Sequence, residues 1–101
     1  MSDAKNEQKE EKRMKNQEFI LKVKQTVAEY TNDHLDKSDN FTPLQPEEVY
    51  IVWSCKTLQN CKALASTPLF DGMYYELTYN GDKNEMYFDA YKKFENRCIK
   101  M

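Results

Sequence analysis

Glycine, proline and histidine are scarce in this 101-residue chain, which has two glycines, three prolines and a single histidine. With no glycine or proline between Met1 and Tyr30, nothing there interrupts a helix. One histidine, His34, excludes a histidine-based catalytic pair and a multi-histidine metal site, and it reads as a polar residue at a helix end. Gly-rich phosphate loops, GxSxG and HExxH are all missing. The cysteines Cys55, Cys61 and Cys98 are odd in number and form no CxxC, so they read as reduced thiols of a cytosolic protein rather than a disulfide framework. No apolar run approaches the roughly 18 residues of a membrane span, and "MSDAKNEQKEEKRMK" lacks the apolar stretch of a signal peptide. Secretion and membrane insertion are unsupported, and a cytoplasmic location is expected.

Charge of one sign is missing too. Lys and Arg number 15 against 17 Asp and Glu, a formal net charge of -2. Such a balance supplies no global field toward phosphates or an anionic membrane, so nucleic-acid binding would need a local patch. The length fits one domain whose core buries on the order of 60–65% of the unfolded surface.

What is present divides near residue 40. The first part is rich in Lys, Glu, Gln and Asn, with Glu11 four residues before Lys15 and Glu18 four before Lys22, the favourable helical order. One long helix is expected, with Phe19, Val23, Val27 and Tyr30 as its apolar stripe and Ile20 and Leu21 widening it. Residues 1–18 then form an exposed charged half, and residues 19–101 a single domain. A polar stretch with Pro43 and Pro46 ends the helix. "EVYIVWSCKTLQ" is the clearest strand, with Val49, Ile51, Trp53 and Cys55 expected on the core face and Tyr50, Val52, Ser54 and Lys56 on the other. A turn at Gln59 and Asn60 leads to a second strand in which Cys61, Ala63 and Ala65 alternate with Lys62, Leu64 and Ser66.

Both glycines follow turn formers, as Asp71-Gly72 and Asn80-Gly81. Asn-Gly between alternating runs predicts a hairpin whose type I′ turn needs positive φ at both central residues. On its arms Met73, Tyr75, Leu77 and Tyr79 share a face with Met86, Phe88 and Ala90; Tyr74, Glu76 and Thr78 share the other with Glu85, Tyr87, Asp89 and Tyr91. The first face is core. "KKFENRCIKM" either extends the last strand or forms a short helix with Phe94, Cys98 and Ile99 inward. The fold class is α+β: a long N-terminal helix on a small antiparallel sheet of three or four strands.

No residue set points to catalysis, a cofactor or a metal. Cys55, on the expected core face, suits a small buried hydrophobe better than a nucleophile. Glu76 and Asp89 on facing hairpin arms, with Lys92 near, resemble half of a metal-dependent nuclease site, but a solvated sheet face explains the same acids. Lys92, Lys93 and Arg97 beside the tyrosines form a basic cluster suited to single-stranded nucleic acid. Tyr74, Tyr87 and Tyr91 remain as an aromatic face with apolar area and hydroxyls for a protein partner, and the helix acids Glu11 and Glu18 extend such a surface. Pairing of two copies through helices or a sheet edge is a further expectation.

The segment Glu48 to Ile99, "EVYIVWSCKTLQNCKALASTPLFDGMYYELTYNGDKNEMYFDAYKKFENRCI", resembles an uncharacterised family of small phage and prophage proteins of Gram-positive bacteria. Their recurring pattern is similar to "VWxCKTLQNxKAL", then "DGMYYEhTYNGDK" with h aliphatic, then "YKKxEN". The resemblance carries no catalytic residues and implies expression inside a bacterium. In that setting a small protein without chemistry is expected to bind and inhibit or modulate a host or defence protein, a CRISPR nuclease being one such target.

Overall fold

The computed structural model describes residues 14–35 and 42–101. Helix α1 (Asn16–His34) opens with the Phe19 N–H donating to the Lys15 carbonyl at 2.9 Å. The expected helix is corrected at its start and ends at His34, the polar residue expected at a helix end. Met14 and Lys15 precede it, because the Met14 N–H donates to the Tyr79 hydroxyl at 3.1 Å and draws the chain onto the sheet. Glu11 and the rest of residues 1–13, most of the expected exposed half, lie outside the described residues.

Phe19, Val23 and Val27 recur every four residues and are fully buried, with Ala28 and Thr31 beside them. Leu21 does not widen this stripe. Two positions from both Phe19 and Val23, it points about 200° away on a 3.6-residue turn, and it is exposed. Past the helix, the Asn32 amide grips the Leu44 backbone both ways, accepting from its N–H at 2.7 Å and donating to its carbonyl at 3.0 Å. That clamp holds Leu44 in the core ahead of a single 3-10 turn, Pro46–Glu48.

Four strands follow in an antiparallel meander, β1 (Tyr50–Thr57), β2 (Asn60–Ser66), β3 (Met73–Asn80) and β4 (Glu85–Lys92), in spatial order β1-β2-β3-β4. The register places Cys61, Ala63 and Ala65 opposite Tyr79, Leu77 and Tyr75, and these opposite Met86, Phe88 and Ala90. Residues directly opposite share a face, so the alternation expected for β2, β3 and β4 holds. α1 packs over β2 and β3, where the small side chains of Ala63 and Ala65 admit a close approach. The core tyrosines are tied at both ends of the helix: Tyr79 donates to Asn84 Oδ1 at 2.7 Å, and Thr31 donates weakly to the Tyr75 hydroxyl at 3.5 Å.

Strand β1 departs from its expected facing. Ile51 pairs with Ala65 and Trp53 with Leu64, which leaves Val52 as the extra residue of a β-bulge. Beyond it the parity inverts: Ser54 and Lys56 stand on the helix side, Trp53 and Cys55 on the other. Val49 is buried and Ile51 packs against the core, whereas Trp53 is 43% exposed and Cys55 is exposed. Trp53 and Cys55 are therefore not core residues; β1 is an edge strand, which α1 does not cover.

The turns differ as well. Leu58 and Gln59, rather than Gln59 and Asn60, connect β1 to β2, with Leu58 at φ 56°. The β3–β4 loop contains Gly81 to Asn84 and closes on the Asn80–Glu85 pair, so it is no two-residue type I′ turn. The Asn80 carboxamide oxygen caps it, accepting from the Asp82 and Lys83 N–H groups at 3.0 and 3.3 Å, and positive φ falls at Asn84. Residues 93–101 form neither strand nor helix, and Phe94, Cys98 and Ile99 are exposed rather than inward. So short a segment without an apolar seat does not hold a helix.

Candidate functional site

The sheet face away from α1 has no helix on it among the described residues. Register assigns its side chains row by row: Tyr50, Ser66, Tyr74 and Tyr91; then Trp53, Leu64, Glu76 and Asp89; then Cys55, Lys62, Thr78 and Tyr87. Tyr74, Tyr87 and Tyr91 thus share one face, as their alternation implied, and the structure adds Tyr50 and Trp53. Tyr87 and Tyr91 are 49% and 51% exposed. Tyr50 was legible on the second face of its strand; Trp53 reaches it only through the bulge at Val52.

A carboxylate centre lies inside this aromatic frame. Glu76 and Asp89 are cross-strand partners, and Glu76 is paired with Lys62 at 3.4 Å. Glu85 accepts from the Tyr87 hydroxyl at 2.7 Å; that bond, with the carboxylate's charge, raises the phenol's pKa and holds it as a neutral donor. Among the described residues no three His, Cys, Asp or Glu side chains are grouped to hold a metal ion. Lys92 pairs with Met73 and so stands on the helix side of the sheet, away from the two acids.

The other basic residues are separated too. The Lys93 ammonium lies 5.7 Å from the centroid of the Tyr74 ring, a cation–π contact at the end of the helix-free face. Arg97 is closed on Glu95 at 2.9 Å. Between Tyr50, Tyr74 and Lys93 opens a cleft of about 290 Å³, also lined by Ser66, Leu69 and Phe70. Glu18 is exposed in the first turn of α1, in the layer on the opposite side of the sheet from Tyr74, Tyr87 and Tyr91.

The remaining candidates are resolved by burial. His34 ends the helix, its Nδ1 2.8 Å from the Tyr30 carbonyl and its ring stacked on Tyr30 at 4.1 Å. Cys55, Cys61 and Cys98 are free thiols. Cys61 is buried, and that burial raises its pKa, against the pull of Lys56. Among the described residues no helix is long and apolar enough to cross a membrane.

The chain belongs to a family of unknown function (DUF6275), whose model matches residues 20–101. That match takes in most of α1 and the whole sheet. No curated protein and no solved structure is similar to the chain.

Proposed function

We propose that this protein is a non-enzymatic binding protein that docks its helix-free sheet face onto a protein partner and thereby inhibits or modulates it. The observation that carries this reading is the set of half-exposed aromatic side chains, Tyr50, Trp53, Tyr87 and Tyr91, on a face with no helix over it among the described residues. Aromatic residues bury much apolar area on docking and lose few rotamers, and tyrosine adds a hydroxyl that stays bonded at an interface. A hydrogen-bonded sheet backed by a packed helix presents them rigidly, which lowers the entropic cost of binding. Resemblance to small phage and prophage proteins supplies the setting: a bacterial cytoplasm, and a host or defence protein such as a CRISPR nuclease as the partner. Glu18 on the helix layer joins the contact only with a partner that reaches around the sheet edge.

A nucleic-acid accessory role is the alternative, supported by the Lys93 ammonium over the Tyr74 ring. One experiment separates the two. The tagged protein is used for affinity capture from a bacterial lysate, half of it treated with nuclease. A protein partner that survives nuclease is the expected result. Capture that vanishes with nuclease, together with a single-strand affinity that falls steeply with salt, would move the assignment to nucleic acid.

A further inference from the structure

Two apolar surfaces of this chain are unpartnered among the described residues, the helix-free face and residues 93–101, and we infer that they meet in trans. Residues 93–101 of one copy lie across the helix-free face of a second copy, and the reciprocal contact closes a two-fold dimer. Phe94 and Ile99 are 91% and 71% exposed. Isolated apolar residues on a surface are ordinary, but two large ones in one short segment beside an open aromatic face are a matched pair of unburied surfaces.

Direction favours a second copy over the chain's own face. The Lys93 N–H donates to the Gly72 carbonyl at 2.7 Å, one step beyond the Met73–Lys92 pair, so the segment leaves along the strand axis and off the end of the sheet. No glycine or proline follows to reverse it onto its own face. Length agrees: extended at about 3.3 Å per residue, the segment spans about 30 Å and a strand of this sheet about 26 Å.

Charge selects the occupant. The face carries Glu76, Asp89 and Glu85 against Lys62 and, at its end, Lys93, a net negative charge, so stacking two such faces directly would desolvate like charges against each other. Beyond Lys93, which stays on its own Tyr74, the segment instead offers Lys100 and the Glu95-paired Arg97, a net positive charge interleaved with the apolar side chains. An apolar and basic segment on an aromatic and acidic face is complementary, and exchange between two copies is isologous, so it closes without further growth. This inference goes beyond partner binding and purified protein alone decides it; the second copy's segment and the protein partner compete for the same face, so partner docking displaces the segment.

The test is light scattering of the purified full chain, of a deletion of residues 94–101, and of Phe94→Ala/Ile99→Ala. The full chain is expected at twice its mass of 12.1 kDa, and both variants as monomers that still melt cooperatively, at a midpoint that no longer rises with protein concentration as the dimer's does. The native thiols provide a second readout, with Cys55 on the face and Cys98 in the segment. A flexible bismaleimide is expected to join Cys55 of one copy to Cys98 of the other, and to fail in the double variant. A full chain that stays monomeric, a dimer that survives the deletion, or a dimer linked only between like cysteines would each overturn the inference.

Discussion

A methyl group added at Gly81 has nowhere to go. Its Cβ would fall well inside contact distance of the Gln59 carbonyl oxygen, and Gly81 is not at positive φ. Glycine is required there because two turns meet: the Gly81 N–H donates to Asn60 Oδ1 at 3.1 Å, and the Gln59 amide bonds Asp82. Gly81→Ala is therefore expected to destabilise the fold by about 1–3 kcal/mol through forced displacement of backbone, read as a lower urea midpoint. The tyrosines divide just as sharply. Burial raises the pKa of Tyr75, with the Thr31 bond opposing it and Asp71 adding to it. A pKa raised on folding means that the unfolded chain ionises first, so the stability tied to neutral Tyr75 is intact below about pH 10 and lost as pH rises beyond it. Urea midpoints are expected to fall from pH 9 to about pH 11 in the wild type, and by less in Tyr75→Phe. Equal declines would show that Tyr75 does not sense burial.

Among the elements, β1 holds the sharpest test, because its two readings assign Trp53 to opposite sides of the sheet. In a core, Trp→Ala costs about 3–5 kcal/mol, whereas on an open face it costs far less. Trp53→Ala is expected to lower stability by about 1 kcal/mol or less and Leu77→Ala, buried under α1, by about 2–5 kcal/mol; chemical denaturation compares them directly. The facing of β2, β3 and β4 was legible in the sequence because each strand has one side under the helix and one open, and period-two alternation records that difference. Val49 and the start of β1 read "VYIVW", apolar at both parities, so no alternation marks where Val52 drops out of register. Likewise Asn80-Gly81 signalled a hairpin correctly but not its four-residue loop, since Gly81 answers to Gln59, a residue brought near only by tertiary packing. Tyr74, Tyr87 and Tyr91 were legible as one face for the same reason as their strands. Glu18 was grouped with them by charge alone, and the sheet lies between.

Over the whole molecule, one layer is finished and one is open. The helix side satisfies its polar groups internally, with no buried side-chain nitrogen or oxygen lacking a partner among the described residues. The other side presents aromatic rings around carboxylates, with the exposed residues 93–101 leaving from its end. Cores are insulated from such features, and binding surfaces are built from them. The most direct measurement is a side-by-side capture from nuclease-treated lysate with the wild type, Tyr87→Ala/Tyr91→Ala on the open face, and Leu21→Ala on the exposed helix surface. All three are expected to melt within a few degrees of one another, with the partner retained by the wild type and Leu21→Ala and lost by the tyrosine variant. Retention by the tyrosine variant with loss by Leu21→Ala would place the working surface on the helix and contradict the account.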